Sequence, residues 1–163
     1  MLMLELVSNG ILRDLLLIAP LHAANDLVFL LMRFRLLGSL HKKDSLVSKK
    51  LMGANRTWLG LAVILFSVTA MYWILLGHLC IWPAIGMAIG VHASSALKRA
   101  LGMTEGRALP PFDQLDFFLG GVAGLALCGF YLENFWLMLV ITFALHLISN
   151  VTIYLAGLKE VWW

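Results

Sequence analysis

From Leu59 to Leu76 the chain runs without one charged side chain. A helix needs roughly 20 mainly apolar residues to cross a hydrocarbon layer of about 30 Å, so a run of this length suits a span better than a soluble core. The rest of the sequence has the same character. Of 163 residues, 61% are hydrophobic and 13% charged, where a soluble domain carries about a quarter charged residues, and the mean hydropathy is +0.91. The expectation is an all-α integral membrane protein, a single domain over residues 1–163. It would have about five transmembrane helices near 11–32, 59–76, 79–97, 113–132 and 135–158, with two polar loops at 33–58 and 98–112.

The basic residues set an orientation. Seven of the twelve fall between Arg33 and Arg56, three more are Lys98, Arg99 and Arg107, and the last two are Arg13 and Lys159. With both basic loops and the C-terminus placed in the cytoplasm, eleven of twelve lie on that side, which predicts an N-outside, C-inside, multi-pass protein of the cell membrane. A net charge of only +3, gathered beside spans, reads as topogenic and lipid-facing, with no nucleic-acid partner. The first run lacks the basic start and small-residue cleavage site of a signal peptide, so it is expected to be a retained span. Cys80 and Cys128 are too few for a zinc framework or a redox CxxC and are expected to be ordinary membrane residues.

Three polar clusters converge on the predicted cytoplasmic face. Asn55, Arg56 and Thr57 stand at the start of the second span, where free backbone N–H groups favour an anion; Asn55 also suits an N-cap, and Trp58 an interfacial anchor. Ser94 and Lys98, and Ser95 and Arg99, are each four apart and stack on one side of a helix. That patch could hold phosphates, or simply end a helix with favourable cations. Asp113 and Asp116 are three apart, so both carboxylates can face one point and hold Mg²⁺. Asp113 could equally be an N-cap, with Phe112 and Phe117 as a hydrophobic staple. His22, His92 and His146 lie within spans without metal-ligand spacing and are expected to be hydrogen-bonded interior residues.

In this order the clusters resemble the CDP-archaeol synthase family of CTP-dependent membrane cytidylyltransferases, over nearly the whole chain. Pro20 to Asn25 is similar to the family's Pro-x-x-x-Ala-Asn element, and Gly53 to Trp58 to its Gly-x-Asn-Lys-Thr-Trp element. Ser94 to Gly102 and Pro110 to Asp116 resemble its Ser-Ser-x-x-Lys-Arg run and its Pro-x-x-Asp-Gln-Leu-Asp run, and Tyr154 to Trp162 resembles its ending. The resemblance implies transfer of CMP from CTP to an isoprenoid glycerol-phosphate lipid, giving CDP-archaeol and pyrophosphate at the bilayer surface. It implies Lys98, Asp113 and Asp116 as catalytic residues, the two aspartates holding Mg²⁺. Asn55, Arg56, Thr57, Ser94, Ser95, Arg99 and Gln114 would bind substrate.

Two positions depart from the pattern. The family lysine of Asn-Lys-Thr-Trp is Arg56, which keeps the charge but changes the donor geometry. The family has Gly-Asp ahead of the serines, and this chain has Gly90-Val91, which cannot ligate a cation. A catalytically weakened relative is therefore one alternative. A small scaffold or transport protein with merely topogenic loops is another. The oligomeric state is not readable from the sequence.

Overall fold

The computed structural model describes residues 9–34, 56–104 and 109–158. These form five helices: α1 (Gly10–Arg33), α2 (Trp58–Leu76), α3 (Trp82–Ala100), α4 (Phe112–Leu127) and α5 (Phe135–Leu155). Local chemistry marks their ends. Asn9 accepts from the Ile11 and Leu12 amides at the head of α1, and Thr57 accepts from Gly60 N–H at the head of α2. Gly77 ends α2 in the left-handed conformation, at φ 72°. Pro20 sits inside α1 without ending it.

α1, α2 and α5 are each long and apolar enough to cross a membrane. α3 and α4 are not, against the expectation of five such helices, and packing explains the difference. α3 is built from glycine, alanine and serine where it meets α4, and small residues add little to hydropathy. A methyl group on Gly86 would collide with the Gly120 carbonyl, one on Gly90 with the Asp116 carbonyl, and one on Gly124 with the Trp82 carbonyl. The two backbones therefore touch along most of their length. α4 also stops at Leu127 rather than Leu132, because Gly129 turns the chain at φ 83°.

At the end of the bundle where α3 begins and α4 finishes, loops and helices are tied together. Cys80 and Cys128 form a disulfide with a Cα–Cα distance of 6.4 Å, correcting the expectation of two ordinary thiols. Their separation of 48 residues hid the fact that antiparallel neighbours bring a helix start beside a helix end. His78 stacks on Phe130 nearby. Asp14, fully buried, accepts from Asn134 N–H at 2.7 Å and its side-chain amide at 3.1 Å, while Arg13 pairs with Glu133 at 2.9 Å. Asp14 thus supplies the acceptor that the head of α5 lacks, since Asn134 makes no capping bond of its own.

The opposite end carries the polar clusters. Between the two ends, Leu17, Leu21, Val68, Tyr72, Met87 and Phe118 fill the core, and Tyr72 donates its hydroxyl to Leu17 O at 2.6 Å. The three span histidines are half-buried and partnered: His22 meets Thr142 at 3.1 Å, His92 bonds Ala88 O at 2.7 Å, and His146 packs against Phe117.

Candidate functional site at the α3–α4 end

The last turns of α3 and the first turn of α4 run antiparallel, so spacing of four on one helix meets spacing of three on the other. Ser94 donates to Asp116 in a short hydrogen bond, and Lys98 reaches Asp113 Oδ2 at 2.8 Å. The predicted stack of Ser94 under Lys98 is thus a ladder across the glycine seam. The second stack divides. Ser95 Oγ accepts from Arg56 Nε at 2.8 Å, joining the head of α2 to α3, whereas Arg99 donates to Thr104 O at 3.2 Å and closes the turn after α3.

Six of the expected residues therefore come together in three direct contacts, Ser94 with Asp116, Lys98 with Asp113 and Arg56 with Ser95, joined through the adjacent serines of α3. Burial draws the Arg56 guanidinium below its usual range, and the charges of Asp116 and Asp113 oppose that shift. Thr57 is occupied as the acceptor that caps α2, so the cap is Thr57 and not Asn55, which lies outside the described residues. Gln114 is buried at 2% exposure.

The capping alternative for Asp113 is overturned. α4 starts one residue before Asp113, with Pro111 at the cap position and no side-chain capping bond. Asp113 Oδ2 instead takes Lys98 and the Leu109 amide, the latter at 2.9 Å. Phe112 and Phe117 form no staple, since Phe112 is 55% exposed and Phe117 is in the core.

The donor set suits an oxygen-seeking cation. Asp113 Oδ1 and Gln114 Oε1 are buried acceptors without a hydrogen-bond partner, on adjacent residues at the head of α4. A buried acceptor without a donor costs about 1–3 kcal/mol, which a cation or a ligand donor would offset. Mg²⁺ commonly takes one or two carboxylates plus substrate phosphates; the open oxygens here are on Asp113 and Gln114, whereas both Asp116 oxygens already accept, from Ser94 and from the Phe117 amide. Among the described residues no group of three or more His, Cys, Asp or Glu side chains could hold a metal. Val91 is part of the hydrophobic core at 4% exposure, and only its carbonyl serves the site, lying 3.1 Å from both the Ser94 and Ser95 hydroxyls.

Residues 47–163 match the family model described as CarS-like, CDP-archaeol synthase. The chain belongs to this family. Relatives named CDP-archaeol synthase include one from Methanocaldococcus jannaschii, 31% identical over 102 residues that cover 61% of this chain and 58% of the relative. One from Aeropyrum pernix is 42% identical over 86 residues, 49% of this chain and 47% of the relative. One from Sulfurisphaera tokodaii is 28% identical over 134 residues, 75% and 79% of the two chains. The match spans about half the length of the first two of these relatives. No solved structure matches. The region shared with the CDP-archaeol synthase family model contains the whole Arg56–Ser95 and Lys98–Asp113 constellation.

Proposed function

We propose that the chain transfers CMP from CTP to an archaeal diether glycerol phosphate, 2,3-di-O-geranylgeranylglyceryl phosphate, giving CDP-archaeol and pyrophosphate. The observation that carries this reading is the cation–carboxylate ladder at one end of an apolar bundle, within the segment that matches the family. Triphosphate and lipid phosphate need cations, and the lipid chains need a membrane.

The reaction requires no covalent intermediate with the protein. An oxygen of the lipid phosphate attacks the α-phosphorus of CTP, the new P–O bond forms, and the bond to the β-phosphate breaks with release of pyrophosphate. Lys98 and Arg56 neutralise phosphate charge and Ser94 holds Asp116 in place. Asp113 and Asp116 would hold Mg²⁺, which offsets charge on the phosphates when bound. The site would face the cytoplasm of a five-helix, N-outside domain in the cell membrane, as the distribution of basic residues supports.

The test is transfer of labelled CMP from CTP into a lipid-phosphate acceptor by the purified full chain, with and without EDTA. Asp116→Asn should abolish Mg²⁺-dependent CTP binding while the protein still extracts folded, because the amide oxygen still accepts from Ser94 but the charge is gone. Normal binding of CTP and Mg²⁺ by both Asp113→Asn and Asp116→Asn would leave the aspartates a structural role only. A second reading, a weakened relative that binds without rapid turnover, rests on Val91 standing where the family pattern has an aspartate.

A further inference from the structure

We propose that Ser95 is a positioning residue that fixes the direction of the Arg56 guanidinium toward the ladder. A hydroxyl has one proton to give and lone pairs to receive. Ser95 Oγ lies 3.1 Å from Val91 O, one turn back on its own helix, and 2.8 Å from Arg56 Nε, which can only donate. The one consistent order is Arg56 Nε–H to Ser95 oxygen, and Ser95 O–H to the Val91 carbonyl. Each proton is used once.

The consequence is a division of labour within one side chain. Guanidinium carries five N–H donors in a planar fork, and the Nε end is taken by Ser95, so the plane of the fork is set while the charges of Asp113 and Asp116 lie near enough to act on the guanidinium. Lysine offers its three donors from one nitrogen at the end of a flexible stem, so a bond to Ser95 would not fix a plane for the others. Ser95 is 5% exposed, so water does not compete well for its oxygen. This assigns Ser95 a role through Arg56, distinct from Ser94, whose partner is Asp116.

The inference rests on the reading of the ladder as a CTP site, and a cycle of four full-length proteins separates the two: parent, Ser95→Ala, Arg56→Lys and the double variant. In the parent background Ser95→Ala should raise the KM for CTP about ten-fold, with kcat nearly unchanged, since a charge-assisted hydrogen bond is lost and the chemistry is not touched. In the Arg56→Lys background the same change should alter KM by less than about two-fold, because coupled effects are not additive. Equal damage in both backgrounds would overturn the inference and make Ser95 a substrate or packing contact. Absence of CTP turnover in the parent would sink the functional reading instead. The positioning claim then stands or falls on modification of Arg56 by phenylglyoxal, mapped by mass spectrometry. Ser95→Ala should speed it several-fold at an unchanged melting temperature, and an unchanged rate overturns the claim.

Discussion

Lys98 places its ammonium 2.8 Å from Asp113 across the α3–α4 seam, with the two side chains only 15% and 18% exposed. Removing one partner leaves the other shielded and unpaired, which costs more than the pair itself contributes. Lys98→Met should therefore lower stability by about 1–3 kcal/mol, and adding Asp113→Asn should restore most of it. Transfer of CMP should be lost in both variants. Thermal unfolding in detergent beside the transfer assay reads the split, and a Lys98→Met protein that melts like the parent would show the ion pair to be unimportant for the fold.

The α3–α4 seam has no room for a methyl group at Gly90, which faces the Asp116 carbonyl. Gly90→Ala should push the helices apart, lower stability by about 1–3 kcal/mol, and disturb the Ser94–Asp116 bond. Gly60→Ala is the control, because its new methyl would approach only the Thr57 hydroxyl, at 3.3 Å, and no carbonyl of a neighbouring helix, and alanine favours the helix by up to about 1 kcal/mol. Similar melting temperatures for the two variants would contradict the close packing.

The reading of the chain as a weakened relative turns on Val91. Val91→Asp should raise Mg²⁺-dependent transfer at least about ten-fold, or ~1.4 kcal/mol of barrier. A carboxylate at this buried position costs on the order of 2–3 kcal/mol when unpaired, so the variant should melt below the parent without Mg²⁺ and close the gap with Mg²⁺ and CTP. If the parent already turns over rapidly and the variant is merely less stable, the weakened reading is discarded.

Orientation can be read from thiols. Labels on Ser45→Cys and Thr104→Cys should react from the cytoplasmic side alone, the native thiols being paired with each other. The Cys80–Cys128 bond, at the other end of the bundle, should yield to a membrane-impermeant reductant from outside. Its loss should lower stability by about 2–4 kcal/mol. Labelling of Thr104→Cys from outside would reverse the proposed topology.

Much of this architecture was legible from periodicity. Apolar runs located all five helices, and the four-residue spacing of Ser94 and Lys98 foretold a shared face. Which face met which partner was not legible, because it depends on how closely two backbones approach. The glycines that decide this look unremarkable one at a time. The disulfide was missed because it joins residues that are neighbours only after α3 and α4 pair. Asp14 carried a signal that went unread: a lone carboxylate inside an apolar run, beside an arginine, implies a buried partner. The misplaced cap at Asp113 came from reading a carboxylate as a helix start when Lys98 and the Leu109 amide were its actual partners.

The Asp14 contacts also set a timetable for biogenesis. Arg13 and Asp14 leave the ribosome early, but Glu133 and Asn134 follow only about 120 residues later, roughly ten seconds of translation at ordinary rates. During that interval the carboxylate has no amide donors from the head of α5. Until α5 arrives, Asp14 keeps only its pairing with Arg13. A chain stalled before Asn134 should accordingly leave Asp14 unprotected and be degraded faster than one stalled just beyond α5, a difference that pulse-chase on the two arrested products would register.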